Sequence, residues 1–218
     1  MSQWKIYKLG EIGKIITGKT PPTSKPENFG LIYPFITPRD MNTQKFVLKT
    51  ERYLSEKGKS LVKNNMLPKN AICVSCIGSD LGKVVMTTQP SFTNQQINSI
   101  VCNENFNPDF VYYSTILISE RLRSIGKSST AVPIVNKSQF SDFEIQAPDL
   151  ATQRQIAQIL SSLDDKIELN LQMNQTLEAM AQAIFKEWFV NFNFPGFDGV
   201  FENGLPKGWR MGKVKEIY

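Results

Sequence analysis

A segment of 46 residues, from position 149 to position 194, contains neither glycine nor proline, and it restricts the possible folds more than any other feature. Pro148 precedes it and Pro195-Gly196 follows it, residue types that are common at helix boundaries. Within it, apolar residues recur at steps of three and four, which places them on one face of a helix. They are Ile156, Leu160, Leu163, Ile167, Leu171, Leu177, Ile184 and Trp188. The pattern predicts a helix over residues 152–192, roughly 60 Å long.

The apolar stripe of this helix needs a partner. A helix of this length cannot bury the stripe against one small domain, so we expect a second helix to pack on it as a coiled coil. Asn170 and Asn174 interrupt the stripe, where polar groups lower stability but fix the register of a helix pair. Thr152 and Gln155 have the spacing of a capping box. The alternative is two shorter helices, broken near residues 170–174 and folded on each other.

Residues 1–148 have a different pattern, in which short apolar runs alternate with Gly, Pro, Asn and Ser. Residues 108–124 form an amphipathic pattern that predicts a helix, with Asn107 and Pro108 at its start. The β-prone runs are residues 33–37, 71–77, 83–87 and 97–102. The fold class that follows is α+β, a globular domain followed by a long coiled-coil-forming helix.

A short internal repeat bears on the domain organisation. Nine residues beginning at Trp4 (WKIYKLGEI) line up with nine beginning at Trp209 (WRMGKVKEI). An offset this long indicates tandem domains rather than a solenoid. We therefore predict a globular domain over residues 1–148, the long helix within residues 149–194, and a linker with the start of a second repeat over residues 195–218.

The composition excludes several classes of protein. The chain has no histidine, which removes Ser-His and Cys-His catalysis, and it has no phosphate loop of the type that binds ATP. It has three cysteines, an odd number, and without a secretion signal we interpret Cys73 and Cys76 as reduced, buried thiols of a cytoplasmic protein and expect no metal site. We interpret Asp164 and Asp165 as surface charges on the helix. No apolar run is long enough to cross a membrane.

Positive charge is concentrated in the first part of the chain. Residues 1–150 hold 18 Lys and Arg against 12 Asp and Glu, a net charge of +6. Residues 151–218 hold 7 against 8, a net charge of −1. A basic globular part is typical of a surface that binds phosphates.

Several segments resemble the specificity subunits of type I restriction–modification systems. Residues 18–41 (GKTPPTSKPENFGLIYPFITPRDM) resemble the opening of a target recognition domain in that family. Residues 75–85 (SCIGSDLGKVV) and 91–101 (SFTNQQINSIV) are similar to its Gly-rich strand–turn–strand and its Thr-Asn-Gln segment. Residues 148–192 are similar to its conserved helix. The resemblance covers almost the whole chain.

The resemblance implies a non-catalytic subunit that recognises double-stranded DNA. In this family, two recognition domains and two antiparallel helices set the distance between two DNA half-sites. Modification subunits bind the specificity subunit and methylate adenine with S-adenosylmethionine, and restriction subunits add ATP- and Mg-dependent cleavage. None of these cofactors is expected in this chain. With one recognition domain and one helix, the chain is expected to read one half-site and to form a homodimer.

Loop residues that carry positive charge or paired donors and acceptors are the candidates for DNA contact. For Arg39, one hypothesis is guanine recognition with Asp40 orienting the guanidinium, and the alternative is a structural salt bridge. The amides of residues 94–98 suit adenine recognition, and the alternative is that they brace loops. The candidates are Lys19, Thr20, Arg39, Ser79, Lys83, Thr93, Asn94, Gln95, Gln96, Lys127 and Ser128.

Aromatic residues are concentrated near the end of the long helix: Phe185, Trp188, Phe189, Phe192 and Phe194. We expect core packing to account for some of them, and an interface with the modification subunit or with a next recognition domain to account for the rest, with Trp188 serving assembly. A second class of function stays open. It is a non-catalytic interaction protein that blocks or competes with a specificity or methyltransferase subunit through the long helix.

Overall fold

The computed structural model describes residues 3–42, 44–128, 133–213 and 215, and of residues 124–128 it describes the backbone alone. The strands are β1 Lys5–Lys8, β2 Gly13–Thr17, β3 Phe29–Gly30, β4 Tyr33–Ile36, β5 Phe46–Val47, β6 Arg52–Leu54, β7 Ile72–Ser75, β8 Val84–Thr87, β9 Phe92–Thr93, β10 Ile97–Cys102, β11 Glu144–Ala147, β12 Phe201–Glu202 and β13 Leu205–Pro206. The helices are α1 Leu9–Ile12, α2 Glu56–Leu61, α3 Pro108–Ser128, α4 Lys137–Ser141 and α5 Leu150–Phe185. Two 3₁₀ turns, Pro26–Asn28 and Lys63–Asn65, and a π-helix, Lys186–Val190, complete the described elements.

A five-stranded sheet, a four-stranded sheet and the antiparallel pair of β1 and β11 form the body of residues 1–164, the first of the two units into which the chain divides. The larger sheet has the order β2-β10-β7-β8-β5 and is antiparallel except for the parallel pair β5 and β8. The smaller sheet has the order β3-β6-β4-β9, with β4 and β9 parallel. The four predicted strands appear as β4, β7, β8 and β10 within two residues of the expected bounds. The predicted α+β class is confirmed.

Helix α3 packs in the main core with the larger sheet. Its buried Val111 and Leu122 share a cluster with Ile72 and Val74 of β7, whereas Cys73 between them belongs to a second cluster. Successive side chains of a strand point to opposite faces of the sheet, so β7 contributes to both clusters. The predicted start of α3 is confirmed, because the Phe110 amide donates to Asn107 Oδ1 at 3.0 Å. The helix extends four residues beyond the predicted end.

The long helix is continuous. α5 passes through Asn170 and Asn174 without a break, so the alternative of two shorter helices is wrong. It ends in the π-helix, where the Asn191 amide donates to Lys186 O at 2.8 Å. No helix among the described residues is both long enough and apolar enough to cross a membrane.

The start of α5 differs from the prediction. The helix begins at Leu150, two residues earlier than expected, so Asp149 is the N-cap and Thr152 stands at the third helical position. The Asp149 carboxylate accepts bonds from the Thr152 amide at 2.9 Å and from its hydroxyl at 3.0 Å, which lowers the pKa of Asp149. The predicted capping box of Thr152 and Gln155 is therefore wrong.

The apolar stripe of α5 changes from half-buried to exposed along the helix. Ile156 and Leu160, in the first unit, are half-buried. Beyond them the stripe residues are between 39% and 58% exposed: Leu163, Ile167, Leu171, Leu177, Ile184 and Trp188. All residues from 169 to 191 are exposed. Within the chain, this part of the stripe is not buried.

The second unit, residues 165–218, ends in a folded segment where the sequence predicts a linker. β12 and β13 form a hairpin whose turn residues Asn203 and Gly204 both have positive φ, the conformation that two-residue hairpin turns require. Rings of Phe189, Phe192 and Phe194 lie 5.6–6.0 Å from the ring of Trp209. These three aromatic residues therefore make ring contacts within the second unit, although Phe189 stays 47% exposed and Phe192 and Phe194 are half-buried. Val214, Glu216 and Ile217 of the internal repeat lie outside the described residues.

A buried lysine ties three elements of the first unit together. The Lys45 side chain is 5% exposed, and its Nζ lies 2.7 Å from Asp109 Oδ1 on α3 and 2.8 Å from Ser161 Oγ on α5. Nζ also lies 4.9 Å from the ring centre of Tyr113. A buried cation is stable only when such partners replace its water.

Tyr113 extends this network to the next turn of α5. Its hydroxyl donates to Asp164 Oδ2 at 2.6 Å, so the interpretation of Asp164 as a simple surface charge is wrong. Burial, and then the bond to Asp164, raise the pKa of Tyr113, which keeps the hydroxyl protonated as a donor. Lys45 and Tyr113 together fix α5 against α3 and the strand β5.

We expect Lys45→Met to lower the free energy of unfolding by about 2 kcal/mol, because Asp109 and Ser161 lose the cation. The loss is smaller than for a fully buried pair, since the Asp109 side chain is 37% exposed. Urea unfolding at neutral pH measures it. The matched control is Lys49→Met at an exposed position, expected to change stability by no more than about 0.5 kcal/mol. Equal losses in both variants would contradict the role of Lys45.

Candidate nucleic-acid interface

Loops from four separate parts of the chain meet at one edge of the first unit. Because β4 and β9 are parallel, the loops that follow them leave the sheet at the same end, and the Asn94 amide donates to Ile36 O at 3.1 Å. The Gly-rich loop between β7 and β8 reaches the same place, where Lys83 Nζ donates to Pro38 O at 3.1 Å. We call this surface the polar edge; it consists of residues 18–20, 37–40, 78–83 and 94–96.

The turn after β2 lies directly against the loop after β9. The Gly18 amide donates to Ile97 O at 3.0 Å, and a Cβ at Gly18 would overlap Asn94 O and Thr93 Oγ1. Thr20 Oγ1 lies 2.7 Å from Gln95 Oε1, and the hydroxyl is the donor of this pair. The absence of a side chain at Gly18 therefore allows the close approach. Lys19, between these contacts, is exposed.

Most amides in the loop after β9 brace the loop itself. Asn94 Nδ2 donates to Gln96 Oε1 at 2.8 Å, and the Gln96 amide donates to Asn94 Oδ1 at 3.1 Å. Asn98 is buried and accepts from Thr17 Oγ1 at 2.6 Å. Thr93 is 1% exposed, so its side chain is not available at the surface of the polar edge. Gln95, by contrast, is exposed.

Arg39 and Asp40 do not act as a pair. The Asp40 carboxylate accepts bonds from the Thr37 amide and hydroxyl at 2.8 and 2.7 Å, and from the Glu51 amide at 2.7 Å. These three donors hold the carboxylate, and no ion pair joins it to Arg39 in the described part of the chain. The hypothesis that Asp40 orients Arg39 is wrong, and so is the alternative of a salt bridge between them. Arg39 is exposed.

The Gly-rich loop is a tight turn, as predicted. Gly78 and Gly82 have φ of 84° and 83°, a region that disfavours residues with a Cβ. Ser79 is exposed, whereas Lys83 is half-buried and its Nζ lies 2.8 Å from Asp80 Oδ1. Lys83 therefore holds this loop to the loop after β4.

A cavity of about 440 Å³ opens beside the Gly-rich loop, and Lys83 and Arg123 contribute its cations. The guanidinium of Arg123 donates to Gly82 O at 3.3 Å. The side chains of Lys127 and Ser128, the remaining predicted phosphate contacts, lie outside the described residues. Asn65 was not among the predicted residues, and its Nδ2 donates to Thr17 O at 2.8 Å behind the Gly18 turn. No local signal marks it, since the two residues are distant in the chain.

The exposed groups of the polar edge are the cations of Lys19 and Arg39 and the polar side chains of Ser79 and Gln95. Cys73 and Cys76 are buried free thiols, as predicted, and burial raises their pKa to about 12 and about 11. They are therefore protonated at neutral pH and poor nucleophiles. The described residues contain no group of three or more His, Cys, Asp or Glu side chains arranged to hold a metal ion.

Comparison with known families gives a specific match. The family described as "Type I restriction modification DNA specificity domain" matches residues 1–179. The match includes the whole polar edge and most of α5. The chain belongs to this family.

Individual relatives agree with this assignment. The chain is 31% identical, over 98% of its length, to the type I restriction enzyme MjaIX specificity subunit of Methanocaldococcus jannaschii. It is 39% identical, over 66% of its length, to the HindI specificity subunit of Haemophilus influenzae. These matches span 51% and 32% of the two relatives, so the chain corresponds to about half or less of their length.

Solved structures show the same fold at low sequence identity. The S subunit of a type I system from M. genitalium superposes with a TM-score of 0.62 at 17% identity, over 88% of this chain and 47% of that one. The HsdS subunit of Thermoanaerobacter tengcongensis gives a TM-score of 0.60 at 16% identity, over 85% of this chain and 44% of that one.

Proposed function

We propose that this chain is the DNA specificity subunit of a type I restriction–modification enzyme, and that its polar edge reads one half of a bipartite target. The observation that carries the proposal is the convergence of four separate loops on one edge, in a chain of the specificity-domain family. Sequence readout needs donors and acceptors on exposed loops above a firm scaffold, and this edge has both. The chain is non-catalytic in this proposal.

Some residues of the polar edge would contact DNA, and others hold its loops in place. Lys19 and Arg39 are exposed cations for phosphate or guanine, and Ser79 and Gln95 are exposed polar groups for base edges or phosphates. Lys127 and Ser128 remain proposed phosphate contacts near the end of α3. Supporting residues hold the loops in place: Thr20, Lys83, Thr93, Asn94 and Gln96.

We further propose that two copies of the chain dimerise through α5 as a coiled coil. The stripe beyond Leu160 is exposed in the chain, and burying such a stripe is the main driving force for helix pairing. Two copies also supply about the length of the relative from M. jannaschii. The dimer would act in the cytoplasm as a scaffold for modification subunits, which supply S-adenosylmethionine chemistry, and for restriction subunits, which supply ATP- and Mg-dependent chemistry.

The competing function, a protein that only blocks another subunit, has less support. A blocker needs the helix but not an ordered set of exposed donors at the polar edge. The relatives above are named as specificity subunits.

The first experiment is co-expression with the cognate modification subunit, followed by mapping of methylated adenine across the genome. We expect an interrupted palindromic motif, because two identical polar edges would read identical half-sites. A stable complex without any methylation would contradict the specificity function and favour the blocking role.

Substitutions at the polar edge test the proposed contacts. We expect Lys19→Ala and Arg39→Ala in the complex with the modification subunit each to weaken DNA binding by about tenfold and to reduce the salt slope by about 1 for each phosphate that is no longer bound. Lys49→Ala, an exposed lysine outside the edge, is the matched control. Affinity and salt slope that equal those of the control would remove the residue from the interface. If Arg39 reads guanine, its replacement also relaxes the motif at one position.

Trp188 tests the helix interface. It is 39% exposed on the stripe and is absent from the ring contacts around Trp209. We expect Trp188→Ala to raise the dissociation constant of the dimer by about tenfold or more, because aromatic residues dominate such interfaces. Sedimentation measures the dimer, and Gln175→Ala, at an exposed position that is not part of the stripe, is the control. Unchanged dimer and modification-subunit binding in the Trp188 variant would contradict this role.

A further inference from the structure

The net positive charge of residues 1–150 comes from one segment. Residues 19–69 hold 10 Lys and Arg against 4 Asp and Glu, a net charge of +6, whereas the rest of residues 1–150 hold 8 of each. The segment contains β3, β4, β5, β6 and α2, and it includes Lys19 and Arg39 of the polar edge. The surface of this segment is therefore the part of the first unit that attracts phosphates most strongly.

Some cations of the segment are used inside the domain. Lys45, Lys57 and Lys59 form ion pairs, and Arg52 stacks on the ring of Phe29 at 3.9 Å. The other six cations are exposed, and within the described residues none of them forms an ion pair or lies over a ring: Lys19, Lys25, Arg39, Lys49, Lys63 and Lys69.

Lys63 lies on a turn that is held next to the polar edge. The last residue of the 3₁₀ turn Lys63–Asn65 donates from Asn65 Nδ2 to Thr17 O at 2.8 Å, and Thr17 is followed at once by Gly18. Lys63 is two residues from Asn65, and Lys19 is two residues from Thr17. Because two residues of chain span at most about 7 Å, the backbones of both lysines lie close to this one hydrogen bond.

Two buried residues fix the chain on either side of the turn. Val62 is 2% exposed and packs in the core cluster of the smaller sheet. Leu67 is fully buried and exchanges backbone hydrogen bonds of 2.9 and 3.0 Å with Ser91, immediately before β9. Since β9 leads into a loop of the polar edge, the turn is tied to that loop as well as to the Gly18 turn. Lys63 and Asn64 are exposed between these anchors.

We propose that this turn is a fifth DNA-contacting element of the first unit. Lys63 binds a backbone phosphate of the duplex, Asn64 donates its side-chain amide to the same DNA strand, and Asn65 positions both. The contact is independent of sequence, because the phosphate is the same at every base pair. This inference rests on the DNA recognition in the proposed function and extends the interface beyond the four loops of the polar edge.

Removal of the charge at Lys63 tests the phosphate contact. In the complex with the modification subunit, we expect Lys63→Ala to weaken binding of target and non-target duplexes alike by about fivefold and to reduce the salt slope by about 1. Lys63→Arg keeps the charge and should keep most of the affinity. The matched control is Lys5→Ala, at an exposed position on β1.

The outcomes separate this proposal from the proposed function. If Lys63→Ala behaves as Lys5→Ala does while Lys19→Ala and Arg39→Ala weaken binding, the polar edge stands and the fifth element is overturned. If none of the three differs from Lys5→Ala, the polar edge itself is overturned. A loss confined to target DNA, or an altered methylated motif in Lys63→Ala, would indicate base contact and would overturn the phosphate assignment.

A double variant tests Asn65 as the positioning residue. Asn65→Ala is expected to weaken DNA binding by about threefold in the unaltered chain and much less in a chain that already carries Lys63→Ala, since the cation that it positions is then absent. An equal loss in both backgrounds would mean that Asn65 acts through the Gly18 turn alone, and its role in positioning Lys63 would be overturned.

Acetylation of lysine side chains tests the contact without a substitution. The complex with the modification subunit is acetylated with and without a duplex that contains the mapped motif, and mass spectrometry measures the modification of each lysine. We expect DNA to protect Lys63 and Lys19 and to leave Lys5 equally reactive. Protection of Lys19 without any protection of Lys63 would overturn the proposal and leave the polar edge in place.

Discussion

The buried ammonium of Lys45 determines how α5 is held in the first unit. Apolar packing alone is non-directional and tolerates rotation of a helix about its axis. The contacts of Lys45 with Asp109 and Ser161 are directional, and so is the bond from Tyr113 to Asp164. They fix which side of α5 faces the domain, and therefore which side remains available as the stripe.

The polar edge separates the residues that hold its shape from those that face solvent. Buried or shared groups, such as the Asp40 carboxylate and the Asn94 amide, have their bonding capacity used by nearby backbone and side chains. Removing one of them would leave a partner such as the half-buried Thr37 or Gln96 without its hydrogen bond, at a cost of about 1 kcal/mol. The side chains of Lys19 and Arg39 are exposed, and none of the hydrogen bonds described above that hold the loops involves them. Substitutions at the exposed positions can therefore change recognition while the loops keep their conformation.

Features that depend on local periodicity were predictable from the sequence, and features that depend on distant pairs were not. The continuous α5 and strands such as β10 follow from residue spacing and β propensity. Lys45 and Asp164 carry no sign of their shared network, since they are brought together only by the packing of α5 on α3. The predicted interaction between the neighbouring charges of Arg39 and Asp40 is wrong for the same reason. The Asp40 carboxylate instead accepts hydrogen bonds from the amides of Thr37 and Glu51.

In a two-fold dimer, every substitution at the polar edge would be present in both copies and would affect DNA binding at both. In a single chain with two different recognition domains, a substitution in one domain would alter one half-site only. In the proposed homodimer of this chain, the same substitution would alter both half-sites, so its free-energy effect would double and its effect on affinity would be squared. A single substitution at Arg39 would then change the whole target at once. A change of target in such a dimer would therefore proceed between palindromes, without the mixed sites that a chain with two different domains can reach.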